Sequence, residues 1–174
     1  MPDTLSTMPL VDLIDETFVV ADRAVLARIF SDPAAWRAWW PGLRLEVHQD
    51  RGLEGVRWNV TGDLVGTSEV WLEEYGDGVI VHYFLRAEPT ARGLDRPRRI
   101  PPRRVPATRQ RLARRYTLVW KRIVNSVKDE VEAGRELGMP RVGEVVHGRR
   151  SEPSARLTTW PAGVRDGLRS RRAR

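Results

Sequence analysis

The sequence predicts an α+β domain: a curved antiparallel sheet of five to six strands wrapped around a long C-terminal helix, with two short helices after the first strand. Three observations predict it. Apolar and polar residues alternate in segments between 43 and 88, as in half-buried antiparallel strands. A stripe at three- and four-residue spacing runs through 108–134. Two short helical patterns, each opened by an aspartate, lie between 22 and 40. A sheet with one apolar face and a helix with one apolar stripe satisfy each other when packed together.

Residues 10–21, LVDLIDETFVVA, read as a strand because Thr17, Phe18, Val19 and Val20 favour extended backbone. Ile14, Glu16, Phe18 and Val20 share one face. Residues 22–30 read as a helix capped by Asp22, with Val25, Leu26, Ile29 and Phe30 on one side. A second helix has Asp32 as N-cap and Pro33 at its first position; Pro41 ends it. It carries Trp36, Trp39 and Trp40, spaced to face roughly one way.

Strands are expected at 43–49, 55–62, 66–75 and 78–88, separated by glycine-containing turns, with a tight hairpin at Asp77-Gly78. In the third of these Val70 and Leu72 face one way and Glu69, Trp71 and Glu73 the other. Residues 89–107 hold five prolines and six arginines and read as a long exposed loop. In the helix at 108–134 the stripe is Leu112, Tyr116, Val119, Trp120, Ile123, Val127 and Val131. The domain is taken as 9–136, and 137–174, without any period, reads as a disordered basic tail.

The net charge of +7 divides unevenly. Residues 1–88 carry 7 basic and 15 acidic groups, 89–134 carry 13 and 4, and 135–174 carry 10 and 4. All basic residues but Lys121 and Lys128 are arginine, a bias that GC-rich coding also produces. The absence of cysteine excludes disulfides, thiol nucleophiles and thiolate metal sites. His48, His82 and His147 are too widely spaced for a metal centre, so neither metal nor cofactor is expected. No catalytic triad, phosphate loop or dinucleotide fingerprint is present. The acidic, weakly apolar N-terminus is unlike a signal peptide, and a cytoplasmic protein is expected.

The stretch ETFVVADRAVLARIFSDPAAWRAWWPGLRLEV (16–47), with GDGVIVHYFLRAE and the final helix, resembles the START-like superfamily, also called helix-grip or SRPBCC. The likeness covers about residues 10–135 and is strongest to small actinobacterial members of the polyketide cyclase/dehydrase type. That family usually has six or seven strands; five are counted here, with the basic loop where another would stand.

The resemblance implies an apolar or aromatic ligand, lipid- or polyketide-like, held between sheet and long helix. By parity the inner face carries Leu45, Val47, Val56, Trp58, Val60, Val81, Tyr83 and Leu85. Candidate ligand-binding residues are Trp40, Trp58, Tyr83, Tyr116, Trp120 and Ile123, which otherwise simply fill the core. A cyclase or dehydratase would need an acid–base group there, for which Glu16 and Tyr83 are the candidates; Glu16 is otherwise on an exposed face. His82 is expected on the outer face. A third reading is a binding module for anionic membrane or nucleic acid through the loop and tail. Arg98, Arg99, Arg103 and Arg104 would meet lipid or phosphate groups there. The loop lacks aromatics to stack on bases, so no specific nucleic acid is expected. The short sheet leaves a homodimer open.

Overall fold

A computed structural model describes residues 8–91, 95–135, 145–146 and 149–150 of the chain. Five strands form one antiparallel sheet: β1 (Val11–Val19), β2 (Leu43–Asp50), β3 (Gly55–Gly62), β4 (Leu64–Tyr75) and β5 (Gly78–Pro89), in the order β1-β5-β4-β3-β2. Strands β2 to β5 are a meander, and β1 returns to pair along β5. Helices α1 (Arg23–Phe30) and α2 (Pro33–Trp39) follow β1, and α3 (Val105–Val131) lies across the inner face of the curved sheet. A two-residue pair, β6 (Val145–Val146) with β7 (Arg149–Arg150), falls within 137–174. The reading of 137–174 as a disordered tail otherwise lies outside the described residues.

The short helices begin as their caps dictate. The Asp22 side chain accepts from Ala24 N at 2.7 Å and the Asp32 side chain from Ala34 N at 2.8 Å, satisfying N–H groups left free in a first turn. The β4–β5 hairpin turns through Gly76 and Asp77, with Gly76 at φ +58°. Gly55 opens β3 at φ +114°, and a side chain there would collide with the Val70 carbonyl oxygen.

Sheet facing follows strand alternation. Val11 and Val19 on β1, Val56, Trp58 and Val60 on β3, Leu64, Ser68, Val70 and Leu72 on β4, and Val81, Tyr83 and Leu85 on β5 are buried. Ile14, 69% exposed, and Phe18 lie on the outer face of β1, so Glu16 between them does too. Val47 departs from its expected inward place: it is 46% exposed. It sits on an edge strand whose pairing to β3 shifts register between Val47 and Gln49, and the rest of β2 beyond it is exposed.

The stretch 89–107 is less loop-like than its prolines suggest. Arg98 N donates to Pro89 O at 2.7 Å, Thr90 bridges Pro97, and a 3-10 turn spans Pro102–Arg104. Helix α3 then starts at Val105, three residues before the expected 108, with Pro106 in its first turn. Proline lacks only an N–H that a first turn leaves unpaired anyway, so here it starts a helix rather than breaking one.

Four polar contacts fix α3 against β1. Asp15 accepts from Trp120 Nε1 at 2.8 Å and pairs with Lys121 Nζ at 2.6 Å. Lys128 Nζ donates to Phe18 O at 2.7 Å, and Glu132 accepts from Val20 N at 2.8 Å. Asp15→Ala would leave the buried Trp120 donor without its acceptor, a loss of about 1–3 kcal/mol. We expect a lower urea midpoint with an unchanged m-value, and a smaller loss when Asp15→Ala is made in Trp120→Phe.

Candidate functional site

The six residues expected to line a pocket are all buried in one cluster between sheet and α3: Trp40, Trp58, Tyr83, Tyr116, Trp120 and Ile123. Helix α2 brings Trp40 there. The backbone leaves helical geometry at Trp40, at φ −126° and ψ 71°, while its N–H still bonds Trp36 O at 2.9 Å. That swing carries the Trp40 ring inward over the sheet.

The rings pack on one another. Tyr83 stacks on Trp120 with centroids 4.0 Å apart and planes 10° from parallel. Trp40 lies nearly parallel to both, 6.1 Å from Tyr83 and 6.5 Å from Trp120. Trp58 meets Trp40 edge-on at 6.3 Å and Trp36 at 5.3 Å. Offset stacks and edge contacts are the favoured arrangements of aromatic quadrupoles. The three tryptophans of α2 are therefore core residues, and Trp40 is also the one that reaches the centre.

The polar atoms of this interior divide into two groups. Trp36 Nε1 donates to Phe30 O at 2.7 Å, and Trp120 Nε1 is held by Asp15. Trp40 Nε1 and Trp58 Nε1 are also buried and have no hydrogen-bond partner among the described residues. Ser68, on the inner face of β4 near Tyr83, donates to Phe84 O at 2.9 Å. Burial pushes the Tyr83 phenol well above its ordinary range, only partly offset by Ser68, so Tyr83 is a hydrogen-bond donor and not a base. Burial also raises Tyr116, with Arg115 opposing and Asp63 reinforcing the shift.

Glu16 is not an interior acid. It accepts from or bonds His82 Nδ1 at 3.2 Å, while Glu73 meets His82 Nε2 at 2.9 Å. His82 lies on the outer face as expected, yet it is only 7% exposed, because Trp71 stacks over it at 4.4 Å. The carboxylate at the inner margin is Asp15, which sequence reasoning passed over. Its neighbours Ile14 and Phe18 are the larger apolar residues, and they drew attention to the opposite face. Among the described residues no group of three His, Cys, Asp or Glu is arranged to hold a metal ion. No described helix is long and apolar enough to cross a membrane. Arg98, Arg99, Arg103 and Arg104 are exposed, and none pairs with a described carboxylate.

No protein-family model matches the chain, and no curated protein does. Several solved structures are similar to it in part. The Aha1 dimer of Colwellia psychrerythraea has 11% identity and a TM-score of 0.46, covering 72% of this chain and 99% of its own. Protein Ms6760 of Mycobacterium smegmatis has 12% identity and a TM-score of 0.47, covering 74% and 96%. An AHSA1-like protein of Rhizobium etli has 15% identity and a TM-score of 0.44, covering 82% and 94%. The curved sheet gripping one long C-terminal helix is the helix-grip arrangement.

The buried phenol sets a pH dependence. A phenol whose folded value is raised stays protonated in the native state while the unfolded chain ionises above about pH 10. The unfolded state then binds fewer protons, so stability present at neutral pH is lost as pH rises past that point. Melting temperatures between about pH 8 and 11 should fall less steeply in Tyr83→Phe than in the parent chain.

Proposed function

We propose that the interior between the sheet and α3 binds a flat apolar small molecule that carries a carbonyl-type acceptor, polyketide- or quinone-like. Residues 9–136 are the binding unit. The observation that carries this reading is the pair of buried indole donors without partners among the described residues, Trp40 Nε1 and Trp58 Nε1. Leaving a buried donor unmade costs about 1–3 kcal/mol. A ligand acceptor would satisfy the donors, and the surrounding rings would stack on its plane. Entry asks Trp40, at the end of the short helix α2, to move off Tyr83 and Trp120.

Binding rather than turnover is the reading favoured. A cyclase would need a proton acceptor beside the bound chain. Tyr83 remains protonated, Glu16 is engaged with His82, and Asp15 is engaged with Trp120 and Lys121.

The test is thermal stability and tryptophan fluorescence of the full chain with two matched panels. One holds quinones and aromatic polyketones, the other hydrocarbons of the same size without acceptors. The acceptor-bearing compounds should raise the melting temperature with concentration and quench the tryptophans. Trp58→Phe keeps an aromatic ring, though a smaller one, and removes the donor; it should weaken binding of the acceptor-bearing compounds by about tenfold more than that of the hydrocarbons. Equal responses to both panels, or none, would refute the reading.

A further inference from the structure

The exposed side of α3 is charged in a way that its packing does not explain. Arg104, Arg111, Arg114, Arg115 and Arg122 fall within an arc of about 100° on the side away from the sheet, along roughly 27 Å. No acidic residue occurs from Val105 to Lys128. Of these five arginines only Arg115 has a described carboxylate partner, Asp63 at 3.5 Å. In residues 1–88 the balance is opposite: Arg23, Arg44, Arg51, Arg57 and Arg86 each make a described ion pair, and only Arg28 and Arg37 do not. A coding bias toward arginine would not sort paired from unpaired guanidinium groups by face.

The geometry points to this face of α3, with the adjoining Arg103 and Arg104, as a docking surface for the phosphate backbone of a nucleic-acid duplex, independent of its sequence. Guanidinium groups in a row neutralise a row of phosphates and release their counterions. Ala107, Gln110, Arg111, Arg114, Arg115 and Leu118 line a shallow open depression of about 490 Å³, where the small Ala107 side chain lets a backbone ridge come close. Gln110, Thr117 and Asn125 are exposed beside the arginines, and such side chains also bond phosphate oxygens. A bilayer is the poorer fit. Membrane-surface helices bury an apolar face, whereas the apolar face of α3 lies on the sheet and only Leu118, 55% exposed, remains outside. A single strand is also the poorer fit, since no aromatic residue stands on this arc to stack with bases.

The full chain should be titrated against a labelled duplex of about 24 base pairs of arbitrary sequence between about 50 and 200 mM salt. The same measurement is made with a single strand of equal length and with phosphatidylcholine–phosphatidylserine vesicles. We expect the duplex to bind more tightly than the single strand, with affinity falling linearly on a log–log salt plot. The triple variant Arg111→Ala, Arg114→Ala, Arg122→Ala should lower the slope by about 3 and the low-salt affinity by at least about tenfold. Its melting temperature should not fall, because all three side chains are exposed and their mutual repulsion is relieved. The ten basic residues beyond 134 are untouched by this variant, so binding that keeps its full slope in it would assign the contact elsewhere and overturn the inference. Absence of duplex binding at low salt, preference for the single strand, or binding to vesicles without binding to duplex would each overturn it too.

Discussion

Trp120 is the one side chain of helix α3 that both stacks on the sheet and hydrogen-bonds its edge strand. Its ring lies flat on Tyr83 of β5, and its N–H is held by Asp15 of β1, the edge strand next to β5. Stacking alone would let the helix slide along the sheet, because dispersion has little direction. A hydrogen bond from a ring nitrogen to a carboxylate has a definite position. Lys121, one residue on, grips the other oxygen of the same carboxylate. With Lys128 and Glu132 tied to the end of β1, the helix axis is fixed at two points about two turns apart. The pair Asp15–Lys121 is partly buried, so its value lies less in net stability than in selecting one register of helix on sheet.

Everything in the interior is arranged around that placement. With Trp120 on Tyr83, the space left at the centre is shaped for another flat ring, and α2 delivers Trp40 into it nearly parallel to both. Pro33 and Asp32 begin α2 sharply, and the backbone departs from helix at Trp40 just before Pro41. A helix that short has few internal bonds to lose, so Trp40 is the most readily displaced member of the cluster.

The elements were legible in the sequence because each rests on a local pattern. Alternation from Leu43 to Glu88 marked the strands, and Asp22, Asp32 and Pro33 marked the helix starts. The buried stripe of α3 followed from Leu112, Tyr116 and Trp120 at four-residue spacing. The six aromatic and aliphatic candidates gathered in one cluster because they shared those faces. What was not legible depends on partners distant in the chain. Asp15 and Glu16 differ by one step of alternation, and only the contact with Trp120, 105 residues away, tells which is inside. Val47 had the right parity but stands where an edge strand slips register. The burial of His82 needed Trp71 and Glu73 on one neighbouring strand and Glu16 on the other. The prolines at 101, 102 and 106 were read as breakers, since position relative to a helix start decides their effect.

The net charge of the chain hides a division between the two layers. The outer face of the sheet carries Asp12, Glu16, Glu69 and Glu73, each held by an arginine or by His82. Those charges are locally balanced and stabilise the sheet's own surface. From Val105 to Lys128 the outer face of α3 carries positive charge only, and most of those groups have no described counter-charge. Like charges at three- and four-residue spacing on a helix repel, at a cost of a few tenths of a kcal/mol per pair. The helix tolerates that cost because its opposite face is anchored by Trp120 and the apolar stripe, so its folding does not depend on favourable pairs at the surface. A scaffold that anchors a helix through one face leaves the other free to carry a charge pattern set by a partner.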